Sequence, residues 1–101
     1  MADTVLSIDM IVSNPDIRGG RPIIKGTTLR VQDIAEAHRF QNYTPDEMAY
    51  QFQITLAQVH AALAYYFDHR NEIDSQIEAD LQRFQQAKAE GLGQRHPPLL
   101  G

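Results

Sequence analysis

Among its 101 residues the chain has no cysteine. That absence removes a disulfide framework and any thiolate metal site, and it is compatible with every redox compartment. There is also no apolar run approaching the ~20 residues that a membrane-spanning helix needs. The stretch from Met1 to Val12 carries Asp3 and Asp9 but neither lysine nor arginine, so the basic leader of a secretory signal is missing. A cytoplasmic location with no membrane partner is the expectation. His38, His60, His69 and His96 lack metal-ligand spacing. No Ser–His–Asp or paired-carboxylate constellation stands out, so neither metal nor cofactor nor catalysis is expected. Finally, there is neither glycine nor proline between Asp46 and Glu90, and nothing in that stretch punctuates a helix.

What is present is enough apolar material, 43% of the residues, for one modest core in one domain. The formal net charge is −4, which argues against a protein that is basic all over and binds nucleic acid by charge alone. The charge is unevenly spread, however. From Arg18 to Arg30 there are Arg18, Arg21, Lys25 and Arg30 and no acid, whereas Asp68 to Glu90 holds Asp68, Glu72, Asp74, Glu78, Asp80 and Glu90 against Arg70, Arg83 and Lys88. A basic arm and an acidic C-terminal helix point to two different jobs.

The basic arm, Gly19 to Val31, is the least helix-like part of the chain and holds three of the six glycines. Ile23-Ile24, the Lys25-Gly26 step and Thr27 to Val31 read as two short extended pieces joined by a turn. Gly26 is the residue expected to need a positive φ. The order Lys25-Gly26-Thr27 reverses the glycine and lysine of a phosphate-binding loop, and no strand of useful length precedes it, so nucleotide binding is not expected. Upstream, Ser7 to Val12 alternates as a short strand, and Ser13-Asn14-Pro15-Asp16 is a turn.

Helices follow. The first is expected from Val31 to Gln41, with Val31, Ile34, Ala35 and His38 on one face. Thr44-Pro45-Asp46-Glu47 is a capping box with proline at the first helical position, opening a short second helix to about Phe52. Thr55-Leu56-Ala57-Gln58 is another capping box. It opens a third helix, Leu56 to about Phe67, with Val59, Leu63 and Tyr66 inward, together with Leu56 and Phe67. Two caps with so short a joint between them give helix–turn–helix spacing, and with the first helix in front they predict a tri-helical domain.

On that reading Thr55, Gln58 and Ala61 lie where a recognition helix presents base-reading groups, and glutamine can pair with adenine in the major groove. The competing reading makes Gln58 only a cap, because the third helix carries no lysine or arginine before Arg70. Arg18, Arg21, Lys25 and Arg30 of the arm are the candidate phosphate contacts; the alternative is a charged strand edge that discourages pairing between molecules. A fourth helix, roughly Glu72 to Ala89 after a bend near His69 to Asn71, carries Ile73, Ile77, Leu81 and Phe84 as a thin apolar stripe. A helix that long cannot be buried on so small a body along its whole length. The stripe is either intramolecular core or a partner seam, and the far half of the helix is therefore expected to meet another chain, in a homodimer first and in capture of a toxin second. Gly91-Leu92-Gly93 is the expected end, and 92–101 the expected flexible tail.

Asn14-Pro15-Asp16-Ile17 and Gly20-Arg21-Pro22-Ile23-Ile24-Lys25-Gly26-Thr27 together resemble the opening signature of the domain-of-unknown-function family 433. Tyr43-Thr44-Pro45-Asp46-Glu47 and Leu56 to Tyr65 extend the resemblance, which covers about Ile11 to Phe67. It implies a small helix–turn–helix-like fold with an N-terminal β-element. It also implies the antitoxin half of a toxin–antitoxin pair, with a PIN-like nuclease as partner and operator DNA as a second target. Thr28 departs from the pattern, since the family often has arginine directly after Gly-Thr; here Arg30 stands two places later.

The sequence thus predicts a mainly α protein: a three-helix, helix–turn–helix (homeodomain-like) domain with a short N-terminal β-ribbon and a long C-terminal helix. The single domain spans 1–91, with the ribbon at 7–31, the tri-helical part at 31–67 and the C-terminal helix at 70–90. Expected partners are a second copy, a PIN-like toxin and double-stranded DNA. The competing function is an interaction or dimerisation adaptor with no nucleic-acid role.

Overall fold

A computed structural model describes residues 2–100, with side chains described through Glu90. Its elements are β1 (Ile11–Val12), β2 (Ile23–Ile24), α1 (Val31–Phe40), α2 (Pro45–Phe52), α3 (Leu56–Asp68) and α4 (Arg70–Leu100), with a short 3-10 turn at Arg18–Gly20 between the strands. The protein is mainly helical, with a short two-stranded N-terminal sheet and a long C-terminal helix. The helix end expected at 91–93 and the tail expected over 92–101 lie outside the fully described residues.

The ribbon is shorter than its sequence suggests. β1 pairs antiparallel with β2, Ile11 opposite Ile24 and Val12 opposite Ile23. The ladder then fades, with Lys25 N donating to Met10 O at 2.8 Å. The strand expected over Ser7 to Val12 is realised only at its end. Val5, Leu6 and Ile8 are largely exposed, and without burial of one face alternation alone does not make a strand. The second extended piece, Thr27 to Val31, is reduced to a single bridge between Ile23 and Arg30. Thr27 N donates to Ile24 O at 3.0 Å and Ile24 N to Leu29 O at 2.9 Å, closing the turn. Gly26 sits in it at φ +83°, the left-handed region that glycine enters without a Cβ penalty.

Both capping boxes form. Thr44 N donates to Glu47 Oε1 at 2.7 Å, and Glu47 N to Thr44 Oγ1 at 3.1 Å; Thr55 and Gln58 repeat the exchange at 2.7 and 3.1 Å. Each box satisfies N–H groups that the first turn of a helix leaves without partners. Between the helices Gln53 takes φ +57° and Ile54 N reaches back to Ala49 O at 3.1 Å, so α2 turns into α3 within three residues. α3 and α4 are two helices, not one rod. His69 breaks them at φ −131°, ψ 42°, and its N–H donates to Tyr65 O and Tyr66 O.

The core gathers Ile24 from β2, Val31, Ile34, Ala35 and Ala37 from α1, Met48 from α2, Val59, Ala62, Leu63 and Tyr66 from α3, and Ile73 and Ile77 from α4. His38 is a correction: it is exposed, its ring edge-on to Phe67 at 5.6 Å. α1 is covered by α3 on one side and α4 on another. Its buried arc widens to include Gln32 and Ala37, but His38 falls in the last turn of the helix, where residues 38–40 are all exposed, beyond the end of the core. Leu56 and Phe67 are also partly exposed, at 43% and 52%, because α3 buries only one stripe. Tyr66 ties the helices together: its hydroxyl donates to Asp74 Oδ1 at 2.9 Å, and Arg39 Nη1 donates to the same oxygen at 2.8 Å.

Candidate functional site

Three surfaces hold the residues singled out by the sequence. The first is the basic arm, most of which is already engaged. Arg21 Nη1 donates to Asp80 Oδ2 at 2.7 Å and to Gln32 Oε1 at 2.7 Å. Gln32 Nε2 donates to the same Asp80 oxygen at 2.5 Å, and Arg30 Nη1 approaches it at 3.3 Å. Arg83 donates to Asp80 Oδ1. Arg30 is also forked onto Asp33, with Nη2 2.8 Å from Oδ1 and Nε 3.3 Å from Oδ2. The Arg21 hydrogen bond, opposed by partial burial and helped by Gln32, holds the Asp80 carboxyl down to about 2. Burial works against the charge on Arg30, but Asp33 and Asp80 outweigh it and raise its pKa.

Arg18 and Lys25 are exposed. They remain open to an anionic partner, whereas Arg21 and Arg30 are turned onto α4. The arm folds this way because Pro22, Ile23 and Ile24 are buried beneath it. Their burial carries Arg21 to the start of α1, where Gln32, only 1% exposed, waits for it.

The second surface is the start of α3. Thr55 and Gln58 are committed to each other as caps. Ala61 is half-buried and lines a groove with Ile8, Ile11, Ala64 and Tyr65. The N-terminal segment therefore lies along the part of α3 that continues from the cap.

The third surface follows the apolar stripe of α4, which changes role along its length. Ile73 is fully buried and Ile77 is 6% exposed, so both belong to the chain's own core. Leu81 is 45% exposed and Phe84 63% exposed, and every residue from Leu81 to Glu90 is exposed. Beside them is Phe40, 60% exposed, at the end of α1. Glu36, Phe40, Gln41, Ile77, Leu81 and Phe84 line an open groove of about 400 Å³ with Asp80 at its edge.

Asp80, Gln32 and Phe40 were not among the candidates from sequence. Asp80 did carry a signal: it stands three residues after Ile77 and four before Phe84, next to the stripe and not on the far, solvated face of the helix. Among the described residues no cluster of His, Asp and Glu is placed to hold a metal ion, and no helix is long and apolar enough to cross a membrane.

The molecule is thus a small helical domain with an N-terminal ribbon clamped by charge to its last helix. The sequence profile of the family described as "Protein of unknown function (DUF433)" matches residues 11–66, and the chain belongs to that family. No curated protein and no solved structure matches the chain.

Proposed function

We propose that the chain is an antitoxin-like regulator that works as a homodimer, holds a PIN-like nuclease as its protein partner and contacts operator DNA. The observation that carries the protein-binding part is the unpartnered half of the α4 stripe. Leu81, Phe84 and Phe40 are large apolar side chains side by side on the surface, and such patches mark association sites more often than chance.

A second copy of α4 suits this groove. In an antiparallel pair centred between Leu81 and Phe84, each Leu81 lies over the other chain's Phe84. The same twofold brings Lys88 of one copy opposite the Ile77–Glu78 step of the other, with Glu36 on the groove wall. Lysine thus meets glutamate twice, and an isologous interface repeats the gain. That leaves the acidic outer residues, among them Asp68 and Glu72, exposed. They suit the basic surface of a nuclease and a fast encounter with it.

The adaptor reading, with no nucleic-acid role, is favoured by the engagement of Arg21 and Arg30 with Asp80 and by the capping duties of Thr55 and Gln58. Titration with a duplex from upstream of the coding sequence separates the two: tight binding over a scrambled duplex supports the regulator, and sequence-blind weak binding supports the adaptor. The function itself is tested by co-expression with the product of the adjacent coding sequence. A stable complex in which nuclease activity is suppressed is the expected result. A soluble neighbour that stays uncomplexed overturns the antitoxin reading.

A further inference from the structure

The cluster around Asp80 has the composition of an oxyanion site. Arg21, Arg30 and Arg83 converge on one carboxylate, and Gln32, 1% exposed, adds an amide donor at 2.5 Å. A guanidinium fork recognises carboxylate and phosphate by the same paired geometry. Asp80 offers two oxygens, as does the non-bridging pair of a phosphodiester.

The seat is unevenly filled. Among the described residues Oδ2 accepts from Arg21, Gln32 and Arg30 while Oδ1 accepts only from Arg83. One helical turn earlier on α4, Gln76 Oε1 is buried with no hydrogen-bond partner among the described residues. Asp80 is also where the docking of α4 ends. Ile77 is buried just before it, and everything from Leu81 to Glu90 is exposed. Arg18 and Lys25 stand exposed on the same arm.

We propose that Asp80 is the resident anion of a phosphate-binding site made by Arg21, Arg30 and Gln32, and that a nucleic-acid phosphate and the Asp80 segment of α4 compete for it. The inference rests on the reading that the chain contacts DNA, and it adds an autoinhibitory contact to that reading. The arm of the free chain offers only Arg18 and Lys25 to a duplex. Release of Asp80 adds Arg21 and the Nη1 edge of Arg30, whose other nitrogens stay on Asp33, and anything that draws α4 away, a protein partner included, switches the arm on.

The test compares the wild-type chain with Asp80→Asn, which keeps the side-chain shape and removes the charge. Fluorescence anisotropy with a labelled duplex is read across a salt series. The variant is expected to bind about tenfold more tightly at low salt, with a salt slope steeper by about two phosphate contacts. Adding Arg21→Ala to the variant should remove most of the gain.

A parallel arm uses inorganic phosphate alone against sodium chloride of equal ionic strength. Phosphate should raise the melting temperature of Asp80→Asn and leave wild type unmoved. If phosphate stabilises the variant while neither chain binds duplex, the oxyanion site stands and the DNA reading falls. If the variant responds to neither duplex nor phosphate, Asp80 is a structural clamp only and the inference is overturned. Should Asp80→Asn fail to fold, hydrogen exchange of the wild-type chain decides. Saturating duplex should speed exchange in α4 around residues 76–84, and unchanged exchange overturns the competition.

Discussion

Arg21 and Asp80 are 59 residues apart in sequence and 2.7 Å apart in space. The pair joins the ribbon to the last helix and sets the position of both. It also explains why a chain with a conspicuously basic arm presents so little free positive charge there. Partly buried pairs of this kind matter because removing one partner strands the other.

Stability should fall on the acid side as this pair is titrated. The Asp80 carboxyl is held at about 2 against an ordinary value of 3.8, chiefly by the Arg21 hydrogen bond. Because its folded pKa is depressed, its contribution is fully present above about pH 4 and is lost as pH falls towards 2. With the side chain about a quarter exposed, solvent screening reduces the contribution to about 1 kcal/mol. Urea midpoints at pH 5, 3.5 and 2.5 check this. Wild type should lose more than Asp80→Asn over that range, and the difference between the two isolates this carboxylate from the others. Parallel losses in both would exclude it.

The two capping boxes should be equivalent in energy although their sequences differ. Thr44→Ala and Thr55→Ala each remove a side-chain acceptor from the first turn and should each cost about 1 kcal/mol. In a domain of this size that is a drop of about 4–8 °C in melting temperature. A Thr55→Ala variant that melts normally but loses DNA binding would make Thr55 a contact residue instead of a cap.

Tyr66→Phe should cost about 1 kcal/mol by removing the hydroxyl's hydrogen bond to Asp74. Asp74 keeps Arg39, so its carboxylate is not stranded. Arg39→Ala in the Tyr66→Phe background removes that second donor as well. The combined loss should exceed the sum of the two single losses, which a double-mutant cycle from denaturant curves measures.

Much of this fold is legible in local chemistry. Thr44-Pro45-Asp46-Glu47 and Thr55 to Gln58 announce their helix starts because a cap is a contact between residues three apart. Gly26 announces its turn because only its own backbone decides. The rest depends on what packs where. His38 has the right spacing for the core of α1, but it falls in the helix's last turn, where residues 38–40 are all exposed. Arg21 reads as an open cation because Asp80, the residue that holds it, lies more than half the chain away; Arg30 has a local partner in Asp33, three residues on. The N-terminal alternation reads as a strand because nothing local reveals that only Ile11 and Val12 find a partner.

The α4 stripe gives the sharpest contrast between residues of the same type and spacing. Ile73 and Phe84 lie on one stripe, yet Ile73 is fully buried and Phe84 is 63% exposed. Ile73→Ala should therefore destabilise the isolated chain by about 2–4 kcal/mol through a cavity that the core only partly closes. Phe84→Ala should change the stability of the monomer by less than about 0.5 kcal/mol. The two differ again in assembly. If Leu81 and Phe84 meet a second copy, the wild-type melting temperature rises with protein concentration, because association stabilises only the folded state. Phe84→Ala and Leu81→Asp should abolish that dependence and halve the mass measured by light scattering, while Ile73→Ala leaves the concentration dependence in place. A wild-type chain that stays monomeric at high concentration would leave the seam to a different protein. The Leu81→Asp substitution should then break that complex and leave the free chain's fold and melting temperature unchanged.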